Sequence, residues 1–313
     1  MQALIAGVDA GGSRTRAVVA GADLVPRGRG AAGPANAATT PLQSVVEAIS
    51  EAVDDALAAT GASRADLRGV SCGVAGVEAP GNRTRLLAAL EAQFGQGRVR
   101  LASDMRIALA GALPGPVDSA GVVLIAGTGA VAFGRNQDGL EARAGGWGPL
   151  IGDEGSGFEI GRRALAAIVR DVDGRGPRTL MRESLFASEG TRSPVELLGK
   201  LYRTGAAPAD VAAYFPLALD AARKGDAVAL AILRDAGKEL GLAAVTVLRK
   251  LGLAQSTVEV ATVGGVFNAG EPVTGPLRET IFASAPGVRL VRPARPPEIG
   301  AIRLALATLG GDD

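Results

Sequence analysis

The chain has 313 residues, 47% of them hydrophobic, and balances 33 basic against 32 acidic side chains. That length and composition suit two ordinary domains with real cores, and the even charge argues against a general nucleic-acid or acidic-membrane partner. Histidine is absent and Cys72 is the one cysteine, which excludes Ser-His-Asp hydrolysis, His-based phosphotransfer, imidazole metal sites and an internal disulfide, and leaves carboxylates as the natural bases.

The N-terminus reads as a strand rather than a basic segment with an apolar stretch and cleavage site, and no apolar run reaches the roughly 18 residues of a membrane span. A soluble cytoplasmic protein is the expectation. Leu4 to Val8 is apolar and runs into Asp9-Ala10-Gly11-Gly12-Ser13-Arg14-Thr15, followed by a second apolar run from Ala17 to Ala20. This predicts a strand, a Gly-rich turn and a returning strand, whose consecutive main-chain N–H groups form a concavity suited to phosphate oxygens. A third strand is expected from Val25 to Ala31, and Leu42 to Thr60 carries a 3.6-residue apolar period stopped by Gly61. Leu67 to Val74 reads as a strand, Arg83 to Phe94 as a helix, and Val99 to Ser103 as a strand leading into Asp104 and a helix through Leu113. Cys72 falls in the apolar run Val70 to Val74, as a buried structural thiol would.

The break Pro114-Gly115-Pro116 predicts the domain boundary. Beyond it the opening plan repeats: Val122 to Ala126 as strand, Gly127-Thr128-Gly129 as turn, Ala130 to Phe133 as returning strand. Two such units, each opening what reads as half of the chain, predict two similar domains clamping one nucleotide from opposite sides. The predicted domains are 1–115, joined by a C-terminal helix over 298–313, and 116–297 with a helical insertion. Gly145 to Gly157 then holds six glycines, the chain's single Trp and the adjacent carboxylates Asp153 and Glu154 in thirteen positions. By composition alone this is equally a ligand loop or a Gly-rich surface loop with a half-buried Trp. Helices are expected at Gly157 to Val172, Val195 to Tyr202, Ala209 to Lys224 and Ala227 to Leu251. Strands follow at Val258 to Val263 and Val288 to Val291, and a last helix runs from about Glu298 to Leu309.

The order Asp-x-Gly-Gly-Ser-Arg-Thr, an Asp at a strand end, Gly-Thr-Gly, Gly-Gly-Trp-Gly-x-x-x-Gly-Asp-Glu-Gly-Ser-Gly and Gly-Gly-Val-Phe resembles the N-acetylglucosamine kinase branch of the BadF/BadG/BcrA/BcrD ATPase family. The resemblance covers essentially the whole chain. It implies an α/β fold of two duplicated ribonuclease-H-like domains, the actin and hexokinase architecture, with ATP and substrate meeting in an interdomain cleft. It further implies an ATP- and Mg²⁺-dependent kinase acting on the 6-hydroxyl of an amino sugar, N-acetylglucosamine first, with glucosamine and N-acetylmuramate as alternatives. A homodimer is in keeping with such relatives. The other branch of the family, reductase-activating ATPases, holds an iron–sulfur cluster on cysteines from two subunits, and Cys72 alone supplies too few thiolates. A non-catalytic sensor on the same fold would not need the retained acids.

Phosphoryl transfer to a sugar hydroxyl needs phosphate neutralisation, a metal ion and a base near the attacking oxygen. Asp9 is the candidate Mg²⁺ carboxylate, acting through water, against an alternative as a turn Asp. Gly11, Gly12 and Ser13, with Arg14 or Thr15, are candidate phosphate donors, as are Gly127, Thr128 and Gly129. Asp104 is the candidate base, where the alternative is an N-cap that Ser103 would serve equally; the resemblance decides for the base. The resemblance also gives Asn36, Gly145, Gly146, Trp147 and Asp153 to the sugar, and Gly264, Gly265 and Val266 to the adenosine; the alternatives are a turn Asn after Pro34 for Asn36 and a plain strand-to-helix Gly turn at Gly264. Glu154 fits a first-turn carboxylate that only complements a helix dipole. Ala130 departs from the Ser that relatives commonly carry after Gly-Thr-Gly, which bears on sugar identity; Ala10 and Ser13 are milder departures.

Overall fold

The computed structural model describes residues 4–309 apart from 191, 192, 194, 197, 198, 200, 201 and 203–205. The chain forms two compact units, one running to Gly121 and including everything from Arg292 onward, the other Val122–Val291.

In the first unit, β1 (Leu4–Ala10), β2 (Thr15–Ala20) and β3 (Pro26–Ala32) form an antiparallel meander. β4 (Leu67–Val74) and β5 (Val99–Ala102) then add in parallel, giving the order β3-β2-β1-β4-β5. β1 is buried on both faces, which is why it reads as an apolar run rather than an alternation. One face is covered by α1 (Leu42–Ala58) and α2 (Asn82–Phe94), whose Val45, Ile49, Ala52, Val53, Leu86 and Leu90 join Ala6, Val8 and Val19 in a core. On the other face, Ile299, Ile302 and Ala305 of the C-terminal helix pack on Ile5, Val18 and Ala20. The return of the chain's end to the first unit therefore completes that unit's second core.

In the second unit, β6 (Gly121–Ala126), β7 (Ala130–Arg135), β8 (Glu141–Gly145), β9 (Glu259–Val263) and β10 (Arg289–Val291) lie in the order β10-β9-β6-β7-β8. Read from the other end this is β8-β7-β6-β9-β10, position for position the order of the first sheet. β7 and β8 pair antiparallel and β9 and β10 pair in parallel, as do their counterparts. The α/β fold is thus duplicated within one chain. Between β8 and β9 lie α4 (Gly157–Val172), α5 (Leu180–Glu189), α6 (Pro208–Ala212), α7 (Phe215–Arg223) and α8 (Ala227–Lys250). α9 (Glu271–Ser284) precedes β10, and α10 (Pro297–Leu309) is the C-terminal helix; α3 (Asp104–Ala112) follows β5 in the first unit.

The element reading differs from the structure in four places. The expected helix over 209–224 is two helices, because Pro216 in the first turn of α7 has no N–H to continue α6. α9 is hidden in the sequence by Gly275 and Pro276 inside it. β8 has the composition Glu-Ala-Arg-Ala-Gly and no β-branched residue to announce it. α5 begins at a Thr179 cap that the sequence reading passes over. Half of the positions of the helix expected at 195–202 lie outside the described residues.

Candidate active site

Asp9 is the penultimate residue of β1 and pairs directly across the strands with Arg16 of β2. Arg16 Nη2 donates to Asp9 Oδ2 at 2.7 Å. The turn between the strands is closed by Gly11 N–H donating to the Arg14 carbonyl at 3.1 Å, and Ala35 N–H donates back to the Gly11 carbonyl at 2.9 Å. Gly12, Ser13 and Arg14 are exposed, as a phosphate-facing turn requires. Thr15 corrects the expectation of a phosphate donor: it is 0% exposed, and its hydroxyl donates to the Gly33 carbonyl at 2.8 Å. Its hydroxyl is spent on holding the Gly33–Asn36 segment to the hairpin.

That segment brings Asn36 to the turn, with its Nδ2 about 3.8 Å from where a side chain at Gly12 would begin. Asn36 Oδ1 accepts from Ala38 N–H at 2.8 Å, the local Asx-type bond of a turn residue. Half of the amide is therefore structural and the NH₂ end is the part left for a ligand.

Asp104 stands in the same unit at the first position of α3. Ser103, not Asp104, is the cap, its Oγ accepting from Arg106 N–H. Asp104 Oδ1 accepts from Met105 N–H at 3.0 Å. Burial pushes its carboxyl up to about 6; the Met105 N–H works against this, and the charges of Asp9 and Glu78 add to it. A carboxylate tuned toward neutrality beside a second acid is the property a general base needs. Glu78, in the loop after β4, was not singled out by sequence, and neither were Arg16 and Glu298. No motif marks any of the three.

In the second unit the Gly127–Gly129 turn is closed by Gly127 N–H donating to the Gly129 carbonyl at 2.9 Å. The N-terminus of α4 is tied to it, with Gly157 N–H and Phe158 N–H donating to the carbonyls of Gly127 and Thr128. Ser156 caps α4 through Glu159 N–H. These first-turn donors are occupied by protein, so a phosphate here would be held by the turn rather than by the helix end.

Asp153 is 7% exposed and holds a left-handed backbone at φ 62°, unusual for a non-glycine. Its Oδ1 accepts from Gly148 N–H at 3.3 Å. Burial pushes its carboxyl up, while the N–H groups of Gly148 and Ala130 pull it down. The sequence reading gives Asp153 to a sugar hydroxyl; its observed partners are main-chain groups that join the Gly-Thr-Gly strand to the Trp loop. Gly146 N–H donates to the Ala130 carbonyl at 2.9 Å, so both polar main-chain groups of Ala130 are committed to this loop.

Trp147 is 62% exposed, and the Arg143 guanidinium lies 4.4 Å from the centre of its ring. One ring face is covered by that cation, and the ring remains largely exposed. Glu154 faces a cavity of about 210 Å³ between α4 and α8, together with Arg163, Asp235 and Glu239.

Gly264 sits at φ 118°, and a Cβ there would overlap the Ala126 carbonyl oxygen. Only glycine permits β9 to turn away this close to β6. Gly265 opens a short 3-10 turn with free space at its Cα. The Val266 side chain is buried, so any contact it offers a nucleotide is from its main chain.

Among the described residues, no cluster of three or more acidic or thiol side chains could cage a metal ion. Asp9, with one oxygen on Arg16 and the other without a bonded partner among the described residues, fits the lesser demand of Mg²⁺ that takes water and phosphate oxygens as its other ligands.

The chain belongs to the BadF/BadG/BcrA/BcrD ATPase family, whose model matches residues 6–305. It is similar to the N-acetylmuramic acid/N-acetylglucosamine kinase of Clostridium acetobutylicum, at 29% identity over 96% of this chain and 97% of that protein. The N-acetyl-D-glucosamine kinase of Dictyostelium discoideum is 32% identical over 59% of each chain. Among solved structures, a Chromobacterium violaceum protein provisionally named N-acetylglucosamine kinase superposes with a TM-score of 0.78 at 27% identity, over 97% of this chain and 99% of that one.

Proposed function

We propose that this protein transfers the γ-phosphoryl group of ATP to the 6-hydroxyl of an amino sugar, with N-acetylglucosamine as the preferred acceptor. The observation that carries this is Asp104: a half-buried carboxyl raised to about 6, in the same unit as Asp9, in a chain matched end to end by a relative named for that reaction.

In this mechanism the Asp104 carboxylate accepts the proton of the sugar 6-hydroxyl as the oxygen attacks the γ-phosphorus. The new O–P bond forms as the bond to the β-phosphate oxygen breaks, and ADP leaves with that oxygen's charge. Main-chain N–H groups of Gly12, Ser13 and Arg14, and of Thr128 and Gly129, hold phosphate oxygens, while those of Gly11 and Gly127 close the two turns; the Gly264–Val266 turn holds the adenosine. Asn36 Nδ2 and the exposed ring of Trp147 orient the sugar, with Gly145 and Gly146 allowing close approach of the main chain. Asp9 would hold Mg²⁺ through its water ligands; the ion, when bound, supplies neutralisation of the transferring phosphate's charge. Asp153 supports these groups from behind by fixing Gly148 and Ala130.

A second acceptor, N-acetylmuramate, is favoured by one feature. Among the described residues the Arg143 guanidinium has only the Trp147 ring against it, so it is placed to meet the carboxylate of a lactyl arm. No helix of the described residues is long and apolar enough to cross a membrane. The test is product identification: with Mg²⁺, ATP and N-acetylglucosamine, phosphorus NMR should show one new phosphomonoester coupled to the C6 protons. A spectrum showing only ADP and inorganic phosphate overturns the assignment.

A further inference from the structure

The C-terminal helix reaches the candidate site through a single buried carboxylate. Glu298, in the first turn of α10, is 3% exposed. The helix start presses on β1 so closely that a Cβ at Gly7 would overlap the Glu298 carbonyl oxygen. Gly7 and Asp9 lie two apart on one strand, so their side-chain directions share the face of the sheet that carries α10. Arg16 is directly opposite Asp9 in the pairing and therefore emerges on that face too. The result is a line of three charges: Glu298 Oε1 lies 2.8 Å from Arg16 Nε, and Arg16 Nη2 lies 2.7 Å from Asp9 Oδ2.

Two details set this apart from an ordinary structural ion pair. The Glu298–Arg16 approach is short but too poorly aligned to count as a hydrogen bond, and Glu298 Oε2 is buried with no partner among the described residues. Burying a carboxylate with one oxygen unsatisfied is expensive, and an apolar residue packed against Ile5 and Val18 would be cheaper for the fold. What Glu298 does accomplish is electrostatic. Arg16 with Asp9 alone is a neutral pair, which offers little to a divalent cation. With Glu298 behind Arg16, the three groups carry a net charge of about −1 at neutral pH, from two carboxylates and one guanidinium.

We propose that Glu298 is a positioning residue for cation binding: it draws on the Arg16 guanidinium from the buried side, so that Arg16 fixes the Asp9 carboxylate in place without cancelling its attraction for Mg²⁺. This rests on Asp9 as the carboxylate that holds the ion. Arg16 supplies orientation and Glu298 supplies the compensating charge. The helix that closes the first unit's second core is in this way also a part of the site.

The test is calorimetric titration of ADP into the full-length protein with and without Mg²⁺, which reads binding and not turnover. Glu298→Gln keeps the shape and removes the charge. The Mg²⁺-dependent tightening of ADP binding should fall about tenfold, whereas Mg²⁺-free ADP affinity stays within about twofold. The double variant Arg16→Gln/Glu298→Gln removes both charges, leaves Asp9 negative and should regain most of the Mg²⁺ effect, which loss of structure would not permit. Wild-type Mg²⁺ tightening in Glu298→Gln, or equal losses with and without the ion, or no recovery in the double variant, overturns the proposal. If the wild-type protein itself shows no Mg²⁺ tightening, the reading of Asp9 fails and the role of Glu298 falls with it.

Discussion

The Asp153 carboxylate occupies the space that a side chain at Gly129 would need: a Cβ there would sit 2.7 Å from Asp153 Oδ2. The Gly-Thr-Gly turn and the Gly-Asp-Glu motif are therefore one packed object, although 23 positions separate the two residues in sequence. Gly129→Ala should displace the carboxylate, release the Gly148 and Ala130 N–H groups and lower stability by about 1–3 kcal/mol. Thermal melting checks this, with nucleotide affinity falling alongside; a variant that melts and binds ADP like the parent would remove Asp153 from this role.

Asp104 gives the most direct kinetic prediction. Asp104→Asn should lower turnover about a hundredfold or more while ATP and sugar still bind. Because the base must be ionised and its carboxyl titrates at about 6, wild-type turnover should rise with pH through that value and level off above it. Binding titrations and a pH series of kcat check both points.

The same group predicts an opposite effect on stability. A carboxyl raised from the unfolded value of 3.8 to about 6 holds its proton more tightly in the folded state. Between those values the folded protein binds more protons than the unfolded one, so stability falls as pH rises through the window and stays reduced above it. Asp104→Asn should thus melt a few degrees higher than wild type at pH 7–8, of the order of 1–2 kcal/mol after solvent screening, and lose this advantage below about pH 4. Equal melting temperatures at both pH values would contradict the burial argument.

Cys72 should be inert. It is fully buried in β4, and burial pushes its thiol up to about 12, so almost no thiolate forms at pH 8. A thiol reagent should react with one group per chain only after unfolding in guanidinium. Purified protein should also be colourless, because a lone buried thiol cannot anchor an iron–sulfur cluster.

The parts of this structure visible in the sequence are those that local chemistry decides. α4 starts after Ser156 and keeps a 3.6-residue period to Val172, and β4 spans Leu67–Val74, interrupted by Arg68 and Ser71 but buried throughout from Val70 to Val74; both are read at their observed bounds. The two Gly hairpins are read because each is strand, turn and strand within a few residues. The Arg16–Glu298 pair is not read, since it joins opposite ends of the chain through a helix whose partner strand no local period reveals. Thr15 misleads for a related reason: a hydroxyl beside a Gly turn looks the same whether it faces phosphate or the Gly33 carbonyl, and only burial separates the two. Asp153 stands out in the sequence by its motif, but its main-chain partners depend on a loop closing onto β7.

The most direct measurement is coupled ADP release with Mg²⁺ and ATP across N-acetylglucosamine, N-acetylmuramate, glucosamine, N-acetylmannosamine and glucose. An acceptor-dependent kinase that keeps water from the γ-phosphate should release ADP about a hundredfold faster with its sugar than without. N-acetylglucosamine should give the highest rate. ADP release that is the same with every sugar as with none would contradict the assignment and return the chain to the ATPase activators or sensors of its fold.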